Sequence, residues 1–437
     1  MGSTSVQNVE GVTIVLLVVG FFLRYLVRRL QRSREDLRIG VPLAIGFLIR
    51  MAAIIGISAS GLEATLRGGD ETTFIDQARF LASQPLGHGN LPHGPFQLHT
   101  DIFALQVKLG LPIGALRITQ VGLATVGIIL ILAAVYDLSG GRAARLAAWL
   151  LAFEPASIFF NSALHKEPLM ELASGLIVYG GTRIWQRLDV RGILICAIGG
   201  LIAVYTRSYA GWFLVSAAVL LLLHASLRSL DRPLRSMPVV YAVVIAGFVV
   251  TPVLLQASSK KNLQQLQISQ DANSNAQGLT VAGNGPNSDN LALEEVNFST
   301  RGQIIKNLPK RIRDLVLKPY PWQLANTSQR IGAVGTLIAY ALLLLLVWYG
   351  WQSRGSIAAR AAPLLYPLLL LLIAYSLSAG NAGTGFRYRS HLITLAIGAV
   401  AILRERVLQA RAARAVPAPP TRKMRKESVR APVTSPV

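Results

Sequence analysis

Residues 113–136 read IGALRITQVGLATVGIILILAAVY, a run whose only charged side chain is Arg117. As a helix it would rise about 36 Å at ~1.5 Å per residue, enough for the ~30 Å hydrocarbon core of a bilayer. Working outward, comparable runs lie at 11–28, 40–58, 144–163, 168–185, 192–206, 210–228, 237–256, 331–350, 362–379 and 389–404. Together they predict an all-α fold: a polytopic membrane bundle of about eleven transmembrane helices with two long loops on the extracytoplasmic side.

Composition agrees with that reading. The chain of 437 residues is 52% hydrophobic and 15% charged, against about 25% charged in a soluble domain. Its net charge of +22 would suggest nucleic acid in a soluble protein. Here the Lys and Arg flank apolar runs, so the charge reads as topology and no nucleic-acid partner is expected. Cys196, the single cysteine, lies inside an apolar run and offers no disulfide or thiol metal site. Val12–Phe22 has no basic stretch before it and no small-residue cleavage site after it, so it reads as a retained helix.

The loops give the orientation. Segments 24–38, 140–145, 182–191, 228–235, 354–360 and the tail after Arg404 are all rich in Arg, and eleven spans put all six on one side. Positive loops stay cytoplasmic, so the expected cell-membrane topology has the N-terminus outside and the C-terminus inside. The chain then divides into an extra helix and basic loop (1–39), a membrane core (40–256) with a first outer loop (59–112), a second outer loop (257–330), C-terminal spans (331–405) and a disordered basic tail (406–437). The second loop reads as mobile over 269–290. It then becomes a basic amphipathic helix on the outer membrane surface, with Ile304, Ile305, Leu308, Ile312, Leu315 and Val316 at helical spacing. Pro319-Tyr320-Pro321-Trp322 follows as an interfacial anchor.

Charged groups near bilayer depth are costly and need a reason. Several fall on the outer side. Asp70-Glu71 could supply a general base and a substrate ligand; the ordinary account is a solvated loop start. In His165-Lys166-Glu167-Pro168, Lys166 could hold a phosphate while Glu167 and His165 orient donor or acceptor; the ordinary account is a polar hairpin tip. Arg207, between Tyr205 and Tyr209, and Arg387-Tyr388-Arg389 run against the topology rule on this face. A guanidinium is a planar fork matched to phosphate, although pairing with Asp70, Glu71 or Glu167 would also explain them. Arg50 lies within the second span, to snorkel or to pair in the bundle. His88, His93 and His99 are spaced too loosely for a metal site.

At these residues the chain resembles the GT-C superfamily of membrane glycosyltransferases, in the bacterial branch akin to protein O-mannosyltransferases and the lipid A aminoarabinose transferase. Gly69–Ala78 resembles the family's Asp-Glu motif of the first outer loop. Residues 94–166, through Gly140-Gly141-Arg142 and Glu154-Pro155-Ala156-Ser157, resemble its core, Pro319–Gln323 a Pro-aromatic-Pro-Trp-Gln segment, and Gly385–Arg389 the ending before its last helix. The resemblance covers about 40–405 and implies transfer of a sugar from a polyprenyl-phosphate-linked donor to an extracytoplasmic glycan, lipid or protein. It implies Asp70 as catalytic base with Glu71 beside it, and Lys166, Arg207, Arg387 and Arg389 on the donor phosphate, with His165, Glu167 and Tyr388 orienting. No organic cofactor is expected; some members use a divalent cation. Phe74 stands where Tyr is more usual, and helix 11–28 precedes the family's first span. Two other classes fit the same residues: a non-catalytic carrier or flippase of lipid-linked glycan, and a multi-span polysaccharide polymerase. Neither would need Asp70.

Overall fold

A computed structural model of the chain describes residues 2–60, 63–85, 97–228, 267, 297–298, 300–320, 322, 327–353, 357–379 and 382–415. These residues form fourteen α-helices and no strand: α1 Gly2–Arg32, α2 Gly40–Ala59, α3 Glu63–Ser83, α4 Leu98–Lys108, α5 Ile113–Ser139, α6 Gly141–Ala152, α7 Pro155–Asn161, α8 Glu167–Arg187, α9 Val190–Thr206, α10 Ser208–Leu227, α11 Arg301–Leu317, α12 Thr327–Gln352, α13 Ile357–Ser378 and α14 Ala382–Ala415. Six are long and apolar enough to cross a membrane, in α1, α2, α5, α10, α12 and α13. The bent pair α6–α7 would make a seventh. The protein is a polytopic helical membrane protein. Eleven spans is not the number that length and apolarity give: α8 carries polar groups along its length, α9 has 17 residues, the expected span 389–404 lies in α14, which is not among the apolar spans, and the expected span 237–256 lies outside the described residues.

At the centre, α5 and α8 lie side by side. Gly127 and Gly175 make this approach possible: a Cβ on Gly127 would run into the carbonyl of Glu171, and one on Gly175 into the carbonyl of Gly127. Gly140, at φ +86°, ends α5 in a conformation that L residues rarely adopt, and α6 turns back from it. The break between α6 and α7 bends the chain by 62°, and its cause is local. Pro155 has no N–H to continue a helix, and the Glu154 side chain caps the new N-terminus through the amides of Ala156 (3.0 Å) and Ser157. Arg50 closes the break from α2, donating to the Leu151 carbonyl (3.3 Å) and Ser157 Oγ (2.8 Å). It is therefore a buried partner, not a snorkelling side chain.

Polar groups collect at the two ends of the bundle. At one end Arg34 grips Asp137 in a fork of 2.7 and 2.6 Å, Gln186 donates to the Asp137 carbonyl, and Arg406 donates to the Leu138 carbonyl. With Gly141 lying against Asp36, four of the Arg-rich segments meet at this end. The opposite end holds the N-termini of α8, α10 and α14.

The stretch expected as the first outer loop contains two helices, α3 and α4, whose Ala78 and Phe103 share a buried cluster with Leu116 of α5 and Leu164 of the turn before α8. Asp70-Glu71 lies within α3 and does not open a loop. The expected amphipathic helix is present as α11, with Pro309 inside it. One face packs on α12, α13 and α14, burying Arg311, Asp314 and Leu315, while Ile305 and, beyond the helix, Trp322 are exposed. The expected tail begins later than 406: α14 continues to Ala415, with Arg411 donating to Gln352 (2.9 Å). Residues 416–437, and the stretch 269–290 expected to be mobile, lie outside the described residues.

Candidate functional site

The turn 162–166 delivers the chain from α7 to α8 and carries His165-Lys166-Glu167 with it. Pro168 fits the first turn of α8, where its missing N–H costs nothing. Glu167 is fully buried and pairs with Arg207, which stands between α9 and α10, at 3.0 Å (side-chain exposures 0% and 9%). The Arg207 guanidinium also lies over the Tyr388 ring, 4.8 Å from its centroid. Tyr388 stacks on Tyr375 with centroids 4.3 Å apart, and its hydroxyl accepts from Tyr209 at 2.6 Å. His391 completes the group from α14: Nε2 reaches the Glu167 carbonyl at 3.0 Å and Nδ1 the Tyr375 hydroxyl at 2.9 Å. Because a carbonyl only accepts, His391 carries its proton on Nε2 and Tyr375 donates to Nδ1.

Arg207, His165, Arg387 and His391 all act electrostatically on the Glu167 carboxylate. One acid therefore stands among several basic groups. The pair keeps unused capacity: Glu167 Oε2 and Arg207 Nη1 have no hydrogen-bond partner among the described residues. A buried group so placed is met by water or by a ligand.

α3 and α4 close over this group. Phe74 packs edge-on to His99 (4.6 Å) and His165 (6.5 Å), and Lys166 Nζ sits 5.6 Å from the Phe74 ring centre. His99, bonded to Thr100 Oγ1 at 3.0 Å, has its pKa pushed well below the usual histidine value, by burial first and then by the charges of Lys166 and Arg207.

The sequence candidates divide. His165, Lys166, Glu167, Arg207, Arg387 and Tyr388 come together. Glu71 is buried in an ion pair with Arg117 of α5 (2.8 Å), beside Ser58, one turn from Phe74. The side chain of Asp70 lies outside the described residues, as do His88 and His93. Arg389 points elsewhere: it donates to Thr336 Oγ1 (2.7 Å) and to the Lys318 carbonyl, and lies over Phe386. It joins α14 to α12 and the end of α11. Among the described residues no three His, Cys, Asp or Glu could hold a metal ion together.

The chain matches no protein-family model and no curated protein sequence. Among solved structures it is similar to the archaeal oligosaccharyltransferase AglB from Archaeoglobus fulgidus, in complex with an inhibitory peptide and a dolichol-phosphate, at a TM-score of 0.41 and 14% identity. The match covers 89% of this chain and 53% of that one, so the chain spans about half the length of AglB.

Three members of this end of the bundle, His391, Tyr375 and Arg117, and the burial of His99 emerge only from packing. For His391 there was a signal: an ionisable side chain inside a predicted span, which the bilayer tolerates only for a reason. Glu171, buried one turn below Glu167, carried the same signal.

Proposed function

We propose that the protein is a membrane glycosyltransferase that moves a sugar from a polyprenyl-phosphate-linked donor to an acceptor hydroxyl on the extracytoplasmic face. The acceptor oxygen attacks the anomeric carbon and its proton passes to Asp70. The bond from that carbon to the phosphate oxygen breaks, and polyprenyl phosphate leaves with the bonding electrons. Fixed cations where this negative charge gathers lower the barrier. In this reading Lys166, Arg207 and Arg387 meet the phosphate, Glu167 holds Arg207 in place, and His165 and Tyr388 orient the partners. Glu71, tied to Arg117, fixes the turn of α3 on which Asp70 sits. Arg389 contributes by holding α14 against α12, and a divalent cation is not required by the scheme. The membrane is the cell membrane, with the N-terminus outside and the basic end of the bundle cytoplasmic.

The observation that carries the proposal is the meeting of Lys166, Glu167, Arg207, Arg387 and Tyr388, from three separate stretches of chain, beneath the Phe74 of α3. The test is mass spectrometry of envelope glycans, lipids and proteins from cells lacking the protein, restored with wild type or with Asp70→Asn. Wild type restores a missing sugar; Asp70→Asn inserts normally and does not. Full restoration by Asp70→Asn would sink Asp70 as base and leave the carrier or polymerase reading in its place.

A further inference from the structure

On α1, Phe21, Arg24, Tyr25, Arg28, Arg29 and Arg32 line a groove of about 390 Å³. Their three- and four-residue spacing places them on one face of the helix. The opposite face, with Leu23, Leu26, Val27 and Leu30, packs into the core. The basic face is thus turned away from the bundle, beside the exposed Val18 and Phe22.

Depth makes this face unusual. Gly11 lies against Pro112, Val12 against Gly114 and Val19 against Gly122, so α1 and α5 run in the same direction in a fixed register. Carried forward, that register sets Arg24 level with Gly127, Arg28 with Ile131 and Arg32 with Val135, all within the apolar run of α5. At ~1.5 Å per residue, Arg24 stands about 12 Å before the level of Val135. Guanidinium groups on a lipid-facing surface at that depth are costly unless they snorkel to the interface or an anion meets them, and Arg24 has the farthest to reach. Among the described residues no carboxylate pairs with any of the four arginines; Arg29 Nη1 has only the Tyr25 hydroxyl, at 3.4 Å.

We infer that this face of α1 binds an acidic phospholipid, its phosphates held by Arg24 and Arg28 and by Arg29 and Arg32. A phosphate anchored to acyl chains can be drawn to this level, with its chains lying along Val18, Phe21 and Phe22. A soluble anion would lose its hydration there without that compensation. The site is separate from the candidate transfer site: α1 meets Pro112 near that end, whereas its basic half leads toward Arg34 and Asp137 at the other.

The test is native mass spectrometry of the full-length protein titrated with cardiolipin, phosphatidylglycerol or phosphatidylcholine. The two acidic lipids bind in preference to phosphatidylcholine, and millimolar inorganic phosphate does not displace them. Arg24→Gln/Arg28→Gln weakens binding of the acidic lipids about thirty-fold, as expected for losing two surface cations at ~1 kcal/mol each. Should that variant fail to insert, Arg29→Gln/Arg32→Gln, nearer the helix end, is measured for the same drop. Equal binding of phosphatidylcholine, unchanged occupancy in the variants or displacement by inorganic phosphate overturns the inference. A lipid-free dimer broken by the variants also overturns it and assigns the face to a second copy.

Discussion

Replacing Arg207 with Met tests both the energetics and the chemistry of the candidate site. The substitution keeps most of the side-chain volume but leaves the Glu167 carboxylate with its ion-pair partner removed, at 0% exposure. Breaking a buried pair from one side costs about 3–5 kcal/mol, because the remaining charge is stranded. Loss of the contact with the Tyr388 ring adds about 0.5–2 kcal/mol. A total near 4 kcal/mol would lower the folding constant roughly a thousand-fold. Part of this is recoverable: Glu167→Gln in the same chain removes the stranded charge and should restore about 2 kcal/mol, a positive coupling. The assay is reversible unfolding of the full-length protein in mixed micelles, run for wild type, both single variants and the double variant. Additive losses, or a loss under ~1 kcal/mol for Arg207→Met, would refute the claim that the two side chains form a buried, energetically coupled pair. Sugar transfer separates structure from chemistry: the double variant regains stability but not transfer, because Arg207 is still missing from the donor phosphate.

Other outcomes follow from single contacts. Gly127→Val forces α5 and α8 apart where Gly127 meets the Glu171 carbonyl; it should cost at least ~3 kcal/mol and leave little monodisperse protein on gel filtration. Arg50→Met removes the donor to Leu151 and Ser157 and the countercharge near Glu154 and Glu171. A loss of about 3 kcal/mol is expected, and a thermal midpoint unchanged from wild type would argue against Arg50 as the clasp of the broken helix. His99 has a depressed pKa in the folded protein, so below about pH 6.5 the unfolded chain takes up a proton that the folded chain resists. Stability therefore falls as pH drops through that value. His99→Gln should flatten the decline in melting temperature between about pH 7.5 and 5.5, and an unaltered slope would count against it.

Much of the architecture was legible in the sequence because a bilayer leaves few choices. Backbone groups in hydrocarbon must be satisfied internally, so long apolar runs such as 113–136 are helices. Every run read as a span and lying within the described residues falls on helix, with 144–163 split between α6 and α7. The basic segments found one end of the bundle, where Arg34, Asp137 and Arg406 cluster, by the same reasoning. The clustering of Lys166, Glu167, Arg207, Arg387 and Tyr388 was read as sidedness and became proximity in the structure. What the sequence could not reveal was partner choice, which depends on distances across the fold. Glu71 meets Arg117 and Arg389 meets Thr336 because α3, α5, α12 and α14 bring them together. Buried charge is favourable only with a partner at hydrogen-bond range, and no spacing along the chain encodes one. Residue type and order determined the helices and which polar groups share one end of the bundle; only the tertiary structure decided that Arg207 meets Glu167, that His391 reaches its carbonyl, and that Arg389 faces away.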